Sequence, residues 1–434
     1  MKRNETGAGN VFSVRNFRLV FFGALASELG AVLYSFAVSF YILEKSGNNA
    51  FLQGLYLALC GVMLLIFTPI GGVLGDRWNK AKIMFVCDYI KGGLILFATL
   101  MMYILRESGA HIAILFAVGM AGNAVSGIFN PASGALLPYI VEEQRLQQAN
   151  AYFSIKNALQ SILGIMLAGI LYAALPVHLL FIIVGVCYVL SGVSEMFIRY
   201  EHRQKEEKLS LRIAVADMGE GVRYLKTQKP IMAIMAAALF INFFMTPIAG
   251  NFIPYFVRTD IASSPSYLLK KVLTPEMWSS AFSMLIGISS LVGSIILSAK
   301  AQDEKCGFKI AQRLCTVALS MIALTAGYYF LVDRGASLNA FLILFCLGCL
   351  FIGLMVTFVN IPINTALMRI VEKDKLSKVS SILSIISQGL IPIASALAGA
   401  VLQGLGSAAL LAVCSAGFTL TAVFLLLSKQ ARKI

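Results

Sequence analysis

Glu28 stands in the run GALASELGAVLYSF, about twelve residues past Phe17, where an apolar stretch begins. If that stretch crosses a membrane, the carboxyl lies near its middle, and acids at that depth are costly and mark function. Its charge follows its access to water. Three roles suit it: proton carrier, counter-ion for a cationic substrate, or partner of another polar group in a structural pair. The C-terminal half has no comparable acid. A second concentration of charge is the run GGVLGDRWNKAKIMFVCDYIK from Gly71 to Lys91, which sets Asp76, Arg77, Lys80, Lys82, Asp88 and Lys91 between two apolar runs. Asp88 and Lys91 are three apart, share a helical face and can complete a charge cluster with Arg77.

Uncharged polar residues inside the apolar runs form stripes. Between 112 and 138, Asn123, Ser126, Asn130 and Ser133 repeat at helical spacing on one face. Asn242 and Thr246 precede Pro247, Asn251 and Pro254, where a broken helix would expose backbone carbonyls. Thr357, Asn360 and Asn364 follow, then Ser380, Ser384 and Ser387, while Tyr34 lies in the first run. Such residues either line a cavity or bond between helices, the latter worth about 0.6 to 2 kcal/mol per contact. Asn157, Ser161, Gly164 and Ala168 make a small-residue face suited to close packing. No GxxxxGK[ST], HExxH or GxSxG motif occurs, and His111, His178 and His202 are scattered, so neither an enzyme, a metal site nor a cofactor is expected. Cys346 and Cys349 have CxxC spacing, but in the run CLGCLF they are small apolar packing residues.

The elements that must position these groups are membrane helices. Hydrophobic residues make up 59% of the 434 and charged ones 13%; a soluble monomer of that composition could not cover its surface. Runs of the about 20 apolar residues that a crossing needs recur near 17–43, 52–74, 83–104, 112–138, 151–174, 178–198, 231–257, 280–299, 310–331, 340–364, 379–402 and 408–427. The expectation is therefore an all-α membrane protein of twelve spans. The run from Phe17 to Leu43 is too long for a signal peptide's apolar core and is expected to be a retained span.

The net charge of +14 suggests nucleic acid until its placement is examined. With both termini cytoplasmic, inside segments carry 27 of the 35 Lys and Arg and outside loops carry six, while Lys91 and Lys156 lie within helices. That is the positive-inside bias, and it points to a multi-pass cell-membrane protein whose surroundings are lipid. No cysteine falls in an outside loop, so no structural disulfide is implied.

One long polar segment, from Arg199 to Pro230, divides the spans six and six. Shifting the chain by 230 residues lays FNPASGALLPYIVEEQRL on VNIPINTALMRIVEKDKL and gives 11 identities in the 40 positions from 130 to 169. Parallel six-span repeats are a transporter architecture. The expected domains are a six-helix half over 1–198, a cytoplasmic linker over 199–229 and a second half over 230–434.

The segment from Gly72 through Leu74, Asp76, Arg77, Lys80 and Lys82 resembles the loop 2–3 signature of the major facilitator superfamily, G-x-L-a-D-R-x-G-R-K. Within it the chain is similar to macrolide-efflux-like drug:proton antiporters in DYIK at 88–91, FNPASGALLPYIVEEQRLQQANA after helix 4 and GEGVRYLKTQKP before helix 7. It departs from them at Asn79, Ala81 and Ile165, and in lacking an Arg in helix 4. The resemblance implies a fold in which helices 1, 4, 7 and 10 line a central cavity, making Tyr34, Asn123, Asn130, Asn242, Thr246, Asn251, Thr357 and Asn360 cavity candidates. It also implies that Asp76 meets the cytoplasmic start of helix 11, forming with Gly72, Arg77, Asp88 and Lys91 a gate; Lys80 and Lys82 are expected to be ordinary inside charges. The function expected is proton-coupled export of amphiphilic, macrolide-type compounds by a monomer, with Glu28 the proton-coupling candidate. An uptake or facilitated carrier for a small metabolite, or a non-transporting receptor or subunit, is the alternative.

Because the basic residues sit on one set of loops, single cysteines at Ser266 and Ser210 should react with impermeant thiol reagents from opposite sides of the membrane. Reaction of both from one side would contradict twelve spans.

Overall fold

The computed structural model describes residues 10–105, 108–142, 145–200, 229–298, 307–370 and 388–428. Among them there is no strand. A short turn at Val11–Ser13 leads into α1 (Arg15–Lys45), followed by α2 (Ala50–Arg77), α3 (Lys80–Leu105) and α4 (Ser108–Ile140). α5 (Leu146–Leu159) and α6 (Ile165–Ala174) are joined through a π turn at Gln160–Gly164, and α7 (Val177–Met196) follows. α8 (Lys229–Pro247) continues through π turns at Ile248–Phe252 and Val257–Ile261, with the single turn α9 (Ile253–Phe256) between them. α10 (Pro275–Ser298), α11 (Gly307–Tyr328), α12 (Leu338–Ile370) and α13 (Ile391–Leu427) complete the chain.

Eleven of the described helical stretches are long and apolar enough to cross a membrane. α13 contains more than one crossing. At about 1.5 Å per residue its 37 residues would extend about 55 Å, well beyond a hydrocarbon core of about 30 Å. Gly406 (φ 82°) interrupts it with a conformation open to glycine and costly for other residues, so the helix breaks there. The two pieces fall largely within the expected spans 379–402 and 408–427, the first of which begins in residues that lie outside the described ones. Apolar side chains such as Leu405, Leu420 and Ile295 point outward, as a lipid solvent allows.

The chain forms two compact units, Met1–Val38 with Val62–Leu211, and Ser39–Gly61 with Arg212–Ile434. In the first, Phe12, Phe17, Phe21, Tyr152 and Phe153 interlock edge to face, with ring centroids 4.8 to 6.5 Å apart. Backbones approach where glycine removes the side chain: a Cβ on Gly127 would lie 2.9 Å from Thr68 N, so α2 and α4 touch directly. Beside this cluster the Lys80 amide donates to the Tyr200 hydroxyl at 2.7 Å, and burial pushes that phenol above its ordinary value.

The second unit has its own aromatic core, with Phe252, Phe256, Phe282, Tyr328, Phe341 and Phe345 in successive ring contacts. The end of α1 and the start of α2 pack into this unit. A Cβ on Gly54 would lie 2.5 Å from Ser395 O and 2.8 Å from the Gly399 Cα, and the Ala50 amide donates to Gln403 Oε1 at 2.9 Å. Backbone packed on backbone has no side chain to move aside, so this contact is either closed or open.

Gly54→Val should therefore hold α2 and α13 apart, overpacking that typically costs about 1 to 3 kcal/mol. In a cysteine-free background, Asn251→Cys should be protected from water-soluble thiol reagents, and adding Gly54→Val should make it react. Equal protection with and without the valine would show that the glycine contact does not control access.

Candidate functional site

The first unit contains a set of charged side chains out of reach of solvent. On α3 the buried face carries Met84, Cys87, Asp88, Lys91, Gly92 and Ile95; on α7 it carries Val184, Gly185, Tyr188, Ser191, Gly192 and Glu195. Both follow the 3.6-residue period, so each helix turns one stripe to its neighbour. The stripes meet closely because of glycine: a Cβ on Gly92 would lie 3.1 Å from Gly185 O.

Within that contact Lys91 Nζ lies 3.9 Å from Asp88 Oδ1, with Asp88 fully buried and Lys91 nearly so. The ammonium also sits over the rings of Phe129 at 4.4 Å and Tyr188 at 5.4 Å, which offer it their negative faces. Glu195 is fully buried, and its Cγ would lie 3.3 Å from a Cβ on Gly23 of α1, so it fills a notch that only glycine leaves open. Ser191 lies close enough to act on the Asp88 carboxyl as a hydrogen-bond donor but outside good hydrogen-bond geometry, and neither carboxyl oxygen of Glu195 has a partner among the described residues. Buried polar atoms in that state are rare.

A second pair lies nearby in the same unit. Lys156 Nζ on α5 is 2.6 Å from Glu28 Oε1 on α1; the lysine side chain is 1% exposed and the glutamate 39%. Glu28 also acts electrostatically on Lys91. Together the groups are three carboxyls and two ammoniums.

In the second unit the helix does not break at the prolines as expected but widens after Pro247 into a π turn and runs on helically to Ile261. Pro254 has no N–H to offer the carbonyl of Gly250 four residues earlier. Gln53 Nε2 donates to that carbonyl at 3.2 Å and to Ser39 Oγ at 2.6 Å. Asn251 Nδ2 donates to Ser395 O at 3.3 Å. Gln53 and Asn251 are fully buried, and their amide oxygens lack partners among the described residues.

These positions separate the expected site residues. Glu28 is half-buried and paired. Asp88 and Lys91 lie within the α3–α7 contact beside Glu195. Gly72 is half-buried, Arg77 is exposed at the end of α2, and the Asp76 side chain is outside the described residues, as are Ser380, Ser384, Ser387 and the Asn364 side chain. Of the cavity candidates, Asn123 donates to Gly119 O of its own helix at 2.8 Å and Thr357 likewise to Gly353 O at 2.9 Å. Tyr34 is half-buried with its ring 5.5 Å from Phe181. Asn242 and Thr246 are half-buried, whereas Asn130 and Asn360 are exposed. Lys156, expected only as a charge within a helix, and Gln53 were not among the expected site residues. Lys156 carried a usable signal, since an ammonium inside an apolar span requires a carboxylate.

Among the described residues no His, Cys, Asp and Glu cluster could hold a metal ion. What these groups can do is hold, release and exchange protons and balance charge.

Comparison with known proteins gives the family. The model of the Major Facilitator Superfamily matches residues 20–396. The "Uncharacterized MFS-type transporter YkuC" of Bacillus subtilis (strain 168) is 24% identical over 381 residues, 86% of this chain and 82% of its own. Macrolide efflux protein A of Streptococcus pyogenes is 23% identical over 248 residues, 55% of this chain and 58% of its own. The crystal structure of a bacterial homologue of the iron transporter ferroportin, in an inward-facing state, shares the fold at a TM-score of 0.74 and 15% identity, over 98% of this chain and 100% of that one. With eleven membrane-length helices among the described residues, a repeated six-span pattern in its sequence and a family match over most of its length, the chain belongs to the Major Facilitator Superfamily of membrane transporters.

Proposed function

We propose that this transporter is a monomeric exporter of amphiphilic, macrolide-type compounds, driven by exchange with protons through alternating access in the cell membrane. Both termini are cytoplasmic in this reading, and the halves 1–198 and 230–434 move about the linker 199–229. The observation that carries it is the Glu28–Lys156 pair: a carboxyl with partial access to solvent, held against a lysine with almost none. Protonating Glu28 strands Lys156, and breaking a buried pair on one side costs about 3 to 5 kcal/mol. The partial exposure of Glu28 puts this case at or below the lower figure. That is enough for the proton to favour a conformation in which Lys156 finds another partner, which is what coupling requires. Similarity to a protein named for macrolide efflux supports the substrate class.

The close packing of Gly54 and Gly399 supplies a seal that opens and closes as a unit. On the cytoplasmic side the gate is assigned to Gly72, Asp76 and Arg77, with Asp76 facing the positive N-terminal end of the expected span 379–402. A carboxylate there gains about 0.3 to 1 kcal/mol, small enough to be released in every cycle.

Glu28→Gln keeps the size and hydrogen-bonding capacity of the side chain and removes its titration. Binding of radiolabelled erythromycin should stay within about tenfold, or about 1.4 kcal/mol. Accumulation against a gradient should be lost, while exchange down a gradient persists. The double variant Glu28→Gln, Lys156→Gln, with no stranded ammonium, should recover expression lost in the single variant without recovering uphill transport. Proton-driven accumulation by Glu28→Gln would show that Glu28 is not a carrier.

Asp76→Asn should leave the protein folded and inserted, reduce transport strongly and change the cytoplasmic labelling of cysteines placed near 379–390. Normal transport by that variant would return the loop to a purely topological role.

A further inference from the structure

Lys91 is a single positive charge facing two carboxyls. Asp88 is one helical turn away on α3 at 3.9 Å, and Glu195, buried on the facing side of α7, is near enough for its charge to act on both. The fields of Asp88, Glu195 and Glu28 all act on Lys91, and Asp88 and Glu195 act on each other. The remaining groups turned toward the set are the Cys87 thiol from α3, Tyr188 and Ser191 from α7, and the Phe129 ring from α4. None brings a second positive charge, and Lys156 is already engaged by Glu28.

One ammonium neutralises one carboxylate. The other would be an uncompensated charge at a fully buried position, which proteins avoid by taking up a proton. Hydrogen bonding leads to the same conclusion. Apart from the loose approach of Ser191 to Asp88, no donor meets the four carboxyl oxygens in good geometry among the described residues. Ionised carboxylates can only accept, so with both ionised the Glu195 oxygens would have no donor. A carboxylic acid donates and needs no extra room.

We propose that Asp88 and Glu195 form a second, membrane-buried proton site, one proton held between two carboxyls against the charge of Lys91, and that this site must load and release its proton together with Glu28 in each transport cycle. The step balances simply: a carboxylate oxygen takes a proton from water on one side of the membrane, and the same O–H bond breaks to water on the other. Glu28 remains the carboxyl that Lys156 holds, and its charge acts on Lys91, so its protonation and that of the Asp88–Glu195 site influence each other. The transport role rests on the proton-exchange reading above; the shared proton itself does not.

The test is infrared difference spectroscopy of the full chain in liposomes between acid and alkaline buffer, which reads protonated carboxyls by their C=O stretch. Wild type should show a carboxylic acid band that titrates. Glu195→Gln and Asp88→Asn should each lose it, because one carboxylate then balances one lysine. Glu28→Gln should retain it. Lys91→Gln should gain a second acid band, which keeps the proposal testable if a carboxyl variant does not fold. A wild-type band unchanged by both carboxyl variants, one lost only in Glu28→Gln, or one responding to sodium instead of pH would overturn the site. In parallel, Glu195→Gln should lose uphill export of radiolabelled erythromycin driven by an imposed proton gradient. Full proton-driven export by that variant would overturn the site's role in transport. The expected bands, with wild-type transport indifferent to the proton gradient, would instead overturn the proton-exchange reading and leave the shared proton standing.

Discussion

A lysine ammonium cannot rest in hydrocarbon without a carboxylate beside it, and two such lysines, Lys91 and Lys156, organise the first unit. Desolvation costs several kcal/mol per ion even in relaxed proteins, and it is offset only where geometry is good. Lys156 meets that demand with one short ion pair to Glu28 across α5 and α1. Lys91 meets it with Asp88 on its own helix and with two aromatic faces. The close α3–α7 contact that brings in Glu195 depends on Gly92 and Gly185, and the notch that holds Glu195 depends on Gly23. Charge placement and small-residue packing are thus a single constraint, because bulkier residues at those positions would separate the helices and strand the charges.

The second unit meets the same demand for satisfied polar groups in uncharged form. Pro254 removes a backbone donor just after the π turn at Ile248–Phe252, and the carbonyl of Gly250 within that turn accepts from Gln53 at the start of α2. The seal at Gly54 and Gly399 lies on the same part of α2. In the proposed cycle, opening that seal uncaps Gly250, which ties the π turn to the movement of α2.

The fold was legible in the sequence because lipid imposes a coarse rule: apolar runs of sufficient length, basic residues on alternate loops and a 230-residue repeat identify twelve helices before any packing is known. The kink at Gly406 falls between the last two expected spans, inside one long helical stretch. The site was legible only in part. Glu28, Asp88 and Lys91 stood out as charges in apolar runs, but partnership depends on which faces meet, and Glu28 lies far in sequence from Lys156. Asn123 and Thr357 resembled cavity walls at helical spacing, yet each donates to its own helix, a local choice that spacing cannot reveal. Gln53 looked like a polar helix start, and its part emerges only once the carbonyl of Gly250 is placed beside it.

The central claim is that proton movement and substrate movement are one process in this transporter. The direct measurement is proton flux driven by substrate alone: purified protein in liposomes enclosing a pH-sensitive dye, with no imposed pH difference and erythromycin added on one side. The account predicts that erythromycin moving down its gradient drives protons the opposite way, in proportion to the erythromycin transported. Erythromycin transport with no accompanying change in internal pH would contradict it.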